Sequence, residues 1–417
     1  MTELSTTATK AITANTHNSY KNAELNVTPA IMDRRAKDMG QRALFDGFMV
    51  MESVRSPYED MRDEIRSRVV EQDEAIDTII EALERSAVRL PSDQRPIANL
   101  AFLGPTGVGK TEVAKTLSEL IDEEFGSMIR VDCANFSNGH EVSTLLGSPP
   151  SFVGREQVPM FTKDRVETGK TIILFDELEK GSPELYNIML KIMDEGELTL
   201  NNGEEVSFRD TVIIMTSNLG AKQMADSLST TSLGFGGKKL AASKPRLDKV
   251  AKEAFTEFFK PEFVNRITKT VVFHPLTGEG LGRVLDVKLN MLNVEYENEY
   301  GALLSVTPGA RQHLVDIAQR EAHFGARPLI RALENDVQTM FGRYTSAGQV
   351  PEGTHVRVYH RDELPEEFHP QDDSPLVFTQ KRDESLRKYR PPKALAATAA
   401  HPALFKSEEA EVRQEEL

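Results

Sequence analysis

The chain is short of several things, and each shortage narrows what it can do. It has one cysteine, Cys133, in 417 residues, which excludes an internal disulfide and any cysteine-rich zinc module. Its nine histidines are scattered without ligand spacing. Both facts fit a reducing, cytoplasmic compartment. Basic charge is in deficit: 50 Lys and Arg against 65 Asp and Glu leave a net charge of −15, so no general pull toward nucleic acid is expected. No apolar run approaches a membrane span, so no membrane partner is expected either. The opening stretch Met1–Tyr20 has neither a basic n-region nor an apolar core. No secretory signal is expected there, and its polar, Thr- and Ala-rich composition predicts disorder. No internal repeat is visible.

What remains is long enough for two or three domains with a sizeable core. One stretch organises it: Gly104, Pro105, Thr106, Gly107, Val108, Gly109, Lys110 and Thr111, entered from the apolar run Leu100–Leu103. It fits G-x-x-x-x-G-K-[ST], the Walker A phosphate loop. The glycines let the backbone turn tightly and aim successive N–H groups at phosphate oxygens. Lys110 reaches the β- and γ-phosphates of ATP, and the Thr111 hydroxyl can ligate Mg²⁺. Val113, Leu117 and Leu120 follow at helical spacing, so a helix points its positive end at the phosphates.

A second motif lies at Thr171–Glu177. Apolar residues ending in an acidic pair read as a buried parallel strand with carboxylates at its C-terminal end, where open α/β sheets bind ligands. This is a Walker B pattern, in which Asp176 holds Mg²⁺ and Glu177 polarises the attacking water. Thr211–Thr216 is a third buried strand, delivering Ser217 and Asn218 to the same edge. Asn218 there either orients the water or caps the next segment.

The other segments read more plainly. Spacing is helical from Tyr58 to Leu90, and Ser127–Asp132 is a short strand. Asn135–Pro159 is a long polar loop in which Phe152, by composition, is a loop aromatic. Leu185, Ile188, Met189, Ile192 and Met193 form one helix face, and a hairpin turns at Asn201–Gly203. Residues 221–246 predict a mobile surface loop. From Pro275 the composition predicts short helices with a closing strand at His355–His360. Beyond Asp362 it predicts a disordered tail.

In order and together, these motifs make residues 58–360 resemble the AAA+ module of Clp unfoldases, most closely the second ATPase ring of ClpB- and ClpC-type proteins. The resemblance implies an α/β fold: a P-loop AAA+ parallel sheet flanked by helices, followed by a smaller, mostly helical C-terminal domain. The expected organisation is an N-terminal extension over 1–55, a large ATPase domain over 56–274, a small domain over 275–361 and a tail over 362–417. Val69 and Val70 would hold adenine, as in the family's Val-Val-Gly-Gln segment, although Glu71 here replaces the glycine. Asn218 corresponds to sensor one. Arg266, in Pro-Glu-Phe-Val-Asn-Arg, matches the arginine finger that reaches a neighbour's nucleotide, and Arg327, in Gly-Ala-Arg-Pro, matches sensor two. Gly147–Gly154 looks like the substrate-gripping pore loop, with Phe152 in the tyrosine's place and Val153 beside it. Val158 and Pro159 depart from the Gly-Gly that usually follows. Leu233, Gly234 and Phe235 sit where related proteins dock a ClpP-type peptidase.

The resemblance thus implies an ATP- and Mg²⁺-dependent protein unfoldase, a homo-oligomer of expected hexameric form acting on protein substrates. A peptidase-independent remodeller and a switch-like ATPase serving one partner are the alternative readings. A second ATPase ring, an inserted coiled coil and an N-terminal substrate domain are not recognisable.

Overall fold

The computed structural model describes residues 44–45, 48–49, 56–86, 93–121, 127–147, 158–229, 244–369 and 374–382. The chain packs as two units, Met1–Pro57 and Tyr58–Leu417. Within the first, β1 (Leu44–Phe45) pairs antiparallel with β2 (Phe48–Met49).

The second unit begins with α1 (Pro57–Arg68) and α2 (Asp73–Ser86). They are not one continuous helix, because Glu71 between them has φ +61°, which an α-helix cannot carry. Next come β3 (Ala98–Leu103), α3 (Lys110–Ile121), β4 (Ser127–Asp132) and β5 (Thr171–Asp176). Ser182 caps α4 (Pro183–Glu195) through Leu185 N, with Pro183 at its first turn. The expected hairpin follows as β6 (Glu197–Thr199) and β7 (Glu205–Ser207), then β8 (Thr211–Ser217). The expected loop over 221–246 is corrected at both ends. α5 (Ala221–Ser229) occupies its start, α6 (Lys244–Phe258) opens within it, and residues 230–243 lie outside the described set. Met224 and Leu247 are buried, an apolar anchorage that a Ser-, Gly- and Lys-rich average hides. Short α7 (Pro261–Val264) and β9 (Lys269–Val272) complete the region.

The five strands pair in the order β4-β5-β8-β3-β9, all parallel. Every residue of β3, β5 and β8 is buried, which is why they read as near-continuous apolar runs and not as alternating ones. Alternate side chains still serve different layers. Leu100 and Phe102 pack with Ile65, Ile76 and Leu117 on one face, whereas Ala101 and Leu103 join Ile192, Phe255 and Phe263 on the other. The order β5-β8-β3 sets the C-terminal ends of the three motif strands side by side.

The smaller domain departs further from expectation. Its first helix, α8 (Gly278–Tyr300), runs 23 residues from the Thr277 cap, so it is not short. A strand that composition missed, β10 (Ala302–Val306), pairs parallel with β11 (Thr354–His360). Between them lie α9 (Pro308–Arg320), capped by Thr307, α10 (Arg327–Ala332), a π-turn over Leu333–Gln338 and α11 (Thr339–Ser346).

The expected tail boundary after residue 361 also needs correcting. β12 (Leu376–Arg382) pairs antiparallel with the whole of β11. Only Leu376 and Val377 of this strand are buried, and its remaining residues are polar or half-exposed. Bulk composition therefore resembles that of a tail, while two side chains and a ladder of backbone bonds hold the strand in place. Each of those two side chains contributes about 1.5–3 kcal/mol by burial. Ending the chain at residue 373 is expected to speed amide exchange across Thr354–His360 and lower the small domain's melting temperature. Unchanged protection there would show that β12 contributes nothing.

Candidate functional site

The phosphate loop follows β3 and owes its path to two close approaches. A Cβ on Gly104 would lie 2.3 Å from Phe273 O, and one on Gly107 2.2 Å from Phe324 O, so neither position tolerates a side chain. Both also have positive φ, +139° and +74°. α3 opens at Lys110, whose ammonium donates to Gly104 O (2.6 Å), Pro105 O (2.8 Å) and Asn218 Oδ1 (2.9 Å). Burial pushes this lysine down to about 8; nearby Arg327 adds to the shift, while Glu179, Asp176 and Glu177 oppose it.

Asp176 closes β5 and is buried. Its Oδ1 accepts from the Thr216 hydroxyl, and its Oδ2 accepts from Arg130 Nη2 at 2.6 Å. Glu177 follows in the left-handed region, φ +54°, its amide donating to Thr216 Oγ1 at 3.1 Å. Its carboxylate pairs with Lys180. A non-glycine residue held there is strained, and Glu177 lines the pocket described next. Asn218 at the end of β8 has its amide bound by Glu179 Oε1 at 3.2 Å. Asn218 is thus tied to Lys110 by its side chain and to the segment after β5 by its backbone.

These groups line one pocket of about 280 Å³ at the seam between the two domains. The large domain contributes Val69, Val70 and Thr106–Thr111, and the small domain contributes Leu276, Val284, Lys288, Ala326, Arg327 and Ile330. Ala326 N donates to Gly107 O at 2.9 Å, which sets the start of α10, and with it Arg327, against the phosphate loop. The pocket joins an apolar slot to a glycine cradle with a buried cation beside it, and that donor set fits a nucleoside polyphosphate.

Arg266 is not among these residues. It lines a separate cleft with Asp93, Asn99, Asp194 and Thr268, pairing with Asp194 at 3.1 Å and Glu262 at 3.6 Å. Phe152, Val153, Leu233, Gly234 and Phe235 lie outside the described residues. The sequence reading missed Arg130 and Thr216 on Asp176, and the Lys288–Glu112 ion pair at 2.9 Å that crosses the seam. Arg130 had a signal, being a lone cation inside the apolar strand β4. Lys288 had none, standing 176 positions from its partner.

Two family descriptions match the chain in order: an AAA domain (Cdc48 subfamily) over residues 95–270, and the C-terminal, D2-small domain of ClpB protein over residues 276–358. The chain is also 37% identical over 300 residues to the ATP-dependent Clp protease ATP-binding subunit ClpC of Staphylococcus saprophyticus, covering 72% of this chain and 36% of that protein. The chain belongs to the Clp family of AAA+ ATPases. The ClpC proteins of Staphylococcus epidermidis and Staphylococcus aureus strain USA300 are 37% and 36% identical over the same shares. The chain thus spans 36% of the length of the curated relatives it matches, and its two domains resemble a second Clp ATPase module. The family's nucleotide binding accords with the pocket. Among the described residues no helix is long and apolar enough to cross a membrane.

The buried lysine gives a testable pH signature. A free lysine titrates near 10.4, whereas Lys110 loses its proton as pH rises through about 8. A bound polyphosphate favours the ammonium, so binding above that pH takes a proton up. Calorimetry of ADP binding at pH 8.5, in two buffers of different ionisation enthalpy, is expected to show uptake approaching one proton. Identical heats in the two buffers would overturn the assignment.

Proposed function

We propose that the chain is the ATP-hydrolysing unit of a Clp-type protein unfoldase, working in the cytoplasm as a ring of like subunits, six by expectation. Phe152 and Val153 would grip polypeptides in the central pore, and Leu233, Gly234 and Phe235 would dock a ClpP-type peptidase. The observation that carries this reading is the division of the arginines. Arg327 lines the nucleotide pocket, whereas Arg266 lines a cleft that shares no residue with it. An arginine finger remote from its own pocket serves a neighbour's nucleotide, and only an assembly of subunits supplies one. Where such fingers have been dissected they contribute roughly 10³–10⁵ in rate.

MgATP brings the phosphoanhydride to be cleaved and a cation that offsets charge on its oxygens. Thr111 and Asp176 would hold that ion. Among the described residues no three His, Cys, Asp or Glu side chains converge as a metal site, so the ion would also need nucleotide oxygens. Lys110 holds the β- and γ-phosphates, and Asn218, bonded to Lys110, fixes where that ammonium sits. Glu177 would accept the proton of the attacking water as the new phosphorus–oxygen bond forms and the γ-phosphorus separates from the bridging oxygen, with ADP as the leaving group. Arg327 carries the γ-phosphate's presence to the small domain, so hydrolysis loosens a clamp between the domains and moves the pore loop.

Glu177→Gln keeps the side chain's size and removes the base. It is expected to bind ATP normally and to hydrolyse it about 10²–10⁴-fold more slowly; near-normal turnover would take Glu177 out of that role. Threading is tested by unfolding of a stable, tagged fluorescent protein, with ATPase recorded in the same tubes. The wild type is expected to unfold it, and Phe152→Ala to keep its ATPase while losing most of the unfolding. ATP hydrolysis without unfolding by either protein would reject threading in favour of a switch-like ATPase.

A further inference from the structure

Glu71 stands where the loop carrying Val69 and Val70 meets the first helix of the small domain, and its conformation is unusual. Its φ of +61° belongs to the left-handed region, which favours glycine. Its side chain is only 18% exposed and is fully engaged on the other side of the seam. Oε2 accepts from Thr277 N at 2.8 Å, and Oε1 accepts from the Thr277 hydroxyl at 2.5 Å and from Arg283 Nη2 at 3.1 Å. The Thr277 hydroxyl in turn accepts from Gly280 N at 2.9 Å as the N-cap of α8. Room for the carboxylate exists because position 280 is glycine, where a Cβ would lie 2.2 Å from Glu71 Oε2. The negative charge also sits at the positive end of a 23-residue helix. Burial alone would raise the carboxyl's pKa, but the Thr277 bonds and Arg283 hold it below its ordinary value, so it is ionised at neutral pH.

We infer that Glu71 is a positioning residue for nucleotide binding: an ionic latch that fixes the start of α8 against the Val69–Val70 loop, so that both walls of the nucleotide slot are set before the ligand arrives. The inference rests on the reading of the seam as the nucleotide site. Val69 and Val70 immediately precede the latch on one wall, and Leu276 and Val284 flank Thr277 and Arg283 on the other. Loss of the latch therefore frees one wall from the other without touching any group that faces phosphate. Affinity falls because the walls must then be ordered by the ligand itself. The Lys288–Glu112 pair and the Ala326–Gly107 bond still cross the seam, which limits the loss.

The test uses the full chain and two variants. Glu71→Gly suits the backbone at a positive φ, so it removes the latch without adding strain. Glu71→Gln keeps the strain and one carbonyl acceptor but removes the charge. Both are read by calorimetric ADP affinity, by KM and kcat for ATP, and by melting temperature. Glu71→Gly is expected to weaken ADP and raise the KM about tenfold, the loss of one charge-assisted bond, with kcat within about twofold of the wild type. Glu71→Gln should fall between the two. A melting temperature that drops while ADP affinity and KM stay unchanged would make Glu71 a stabilising residue only and overturn the latch. A wild type that binds no adenine nucleotide would instead overturn the seam reading, and the latch with it.

Discussion

A buried ammonium constrains this site more than any other single group. Removing a charge from water is costly unless its donors are met, and Lys110 meets them with oxygens from two strand ends, Gly104 and Pro105 after β3 and Asn218 after β8. That requirement makes strand register a functional quantity. β3 and β8 pair with Leu103 opposite Ser217, which puts the phosphate loop and Asn218 at the same height. β5 pairs with β8 so that Asp176 reaches the Thr216 hydroxyl. A slip of one residue in the β3–β8 pairing would turn every side chain of the slipped strand to the opposite layer and leave the ammonium without Asn218. The parallel sheet, fully buried and tightly registered, is therefore what makes the buried charge affordable.

The small domain completes the site through backbone as much as through side chains. The turn before α10 lies so close to the phosphate loop that neither Gly107 nor Gly325 has space for a Cβ. Charged ties, Glu112 with Lys288 and Glu71 with Arg283, cross the same seam. The Glu112–Lys288 pair is partly exposed on both sides and contributes little alone, whereas Glu71 is mostly buried and adds two Thr277 bonds to its ion pair. A seam held by a few side-chain ties and one close backbone contact would suit the hinge proposed above.

What the sequence disclosed follows a physical divide. Contacts among residues near in sequence leave a pattern, because glycine spacing, an apolar run and a terminal acidic pair are all local. The phosphate loop, the Walker B strand and the Asn201–Gly203 hairpin could be read for that reason. Contacts between distant elements leave none. Nothing in the order of residues joins Arg130 to Asp176 or Ala326 to Gly107, since the sheet order and the domain seam create those pairs. β12 was hidden for another reason. An edge strand with two buried residues and a solvated remainder has the composition of a tail, and its order comes from β11. Glu71 lies between these cases: the departure from glycine was visible, but the compensating Gly280 and Thr277 were 200 positions away.

The setting of Arg266 bears on how a finger can act between subunits. Its partners Asp194 and Glu262 are 54% and 63% exposed, whereas the Arg266 side chain is 27% exposed and its Nε is buried without a hydrogen-bond partner. Exposed pairs of this kind are worth about 0.2–1 kcal/mol. A charge-assisted, bidentate contact with phosphate in a water-excluded site is much stronger. On the reading proposed above, a neighbour's phosphate would compete with Asp194 for the Arg266 guanidinium. The backbone beneath need not move, because Asn99 Nδ2 donates to Arg266 O at 3.0 Å and anchors the residue to β3. That strand leads directly into the phosphate loop of the same chain. If Arg266 serves a neighbour as proposed, a single buried strand would join that finger to the nucleotide pocket of its own chain.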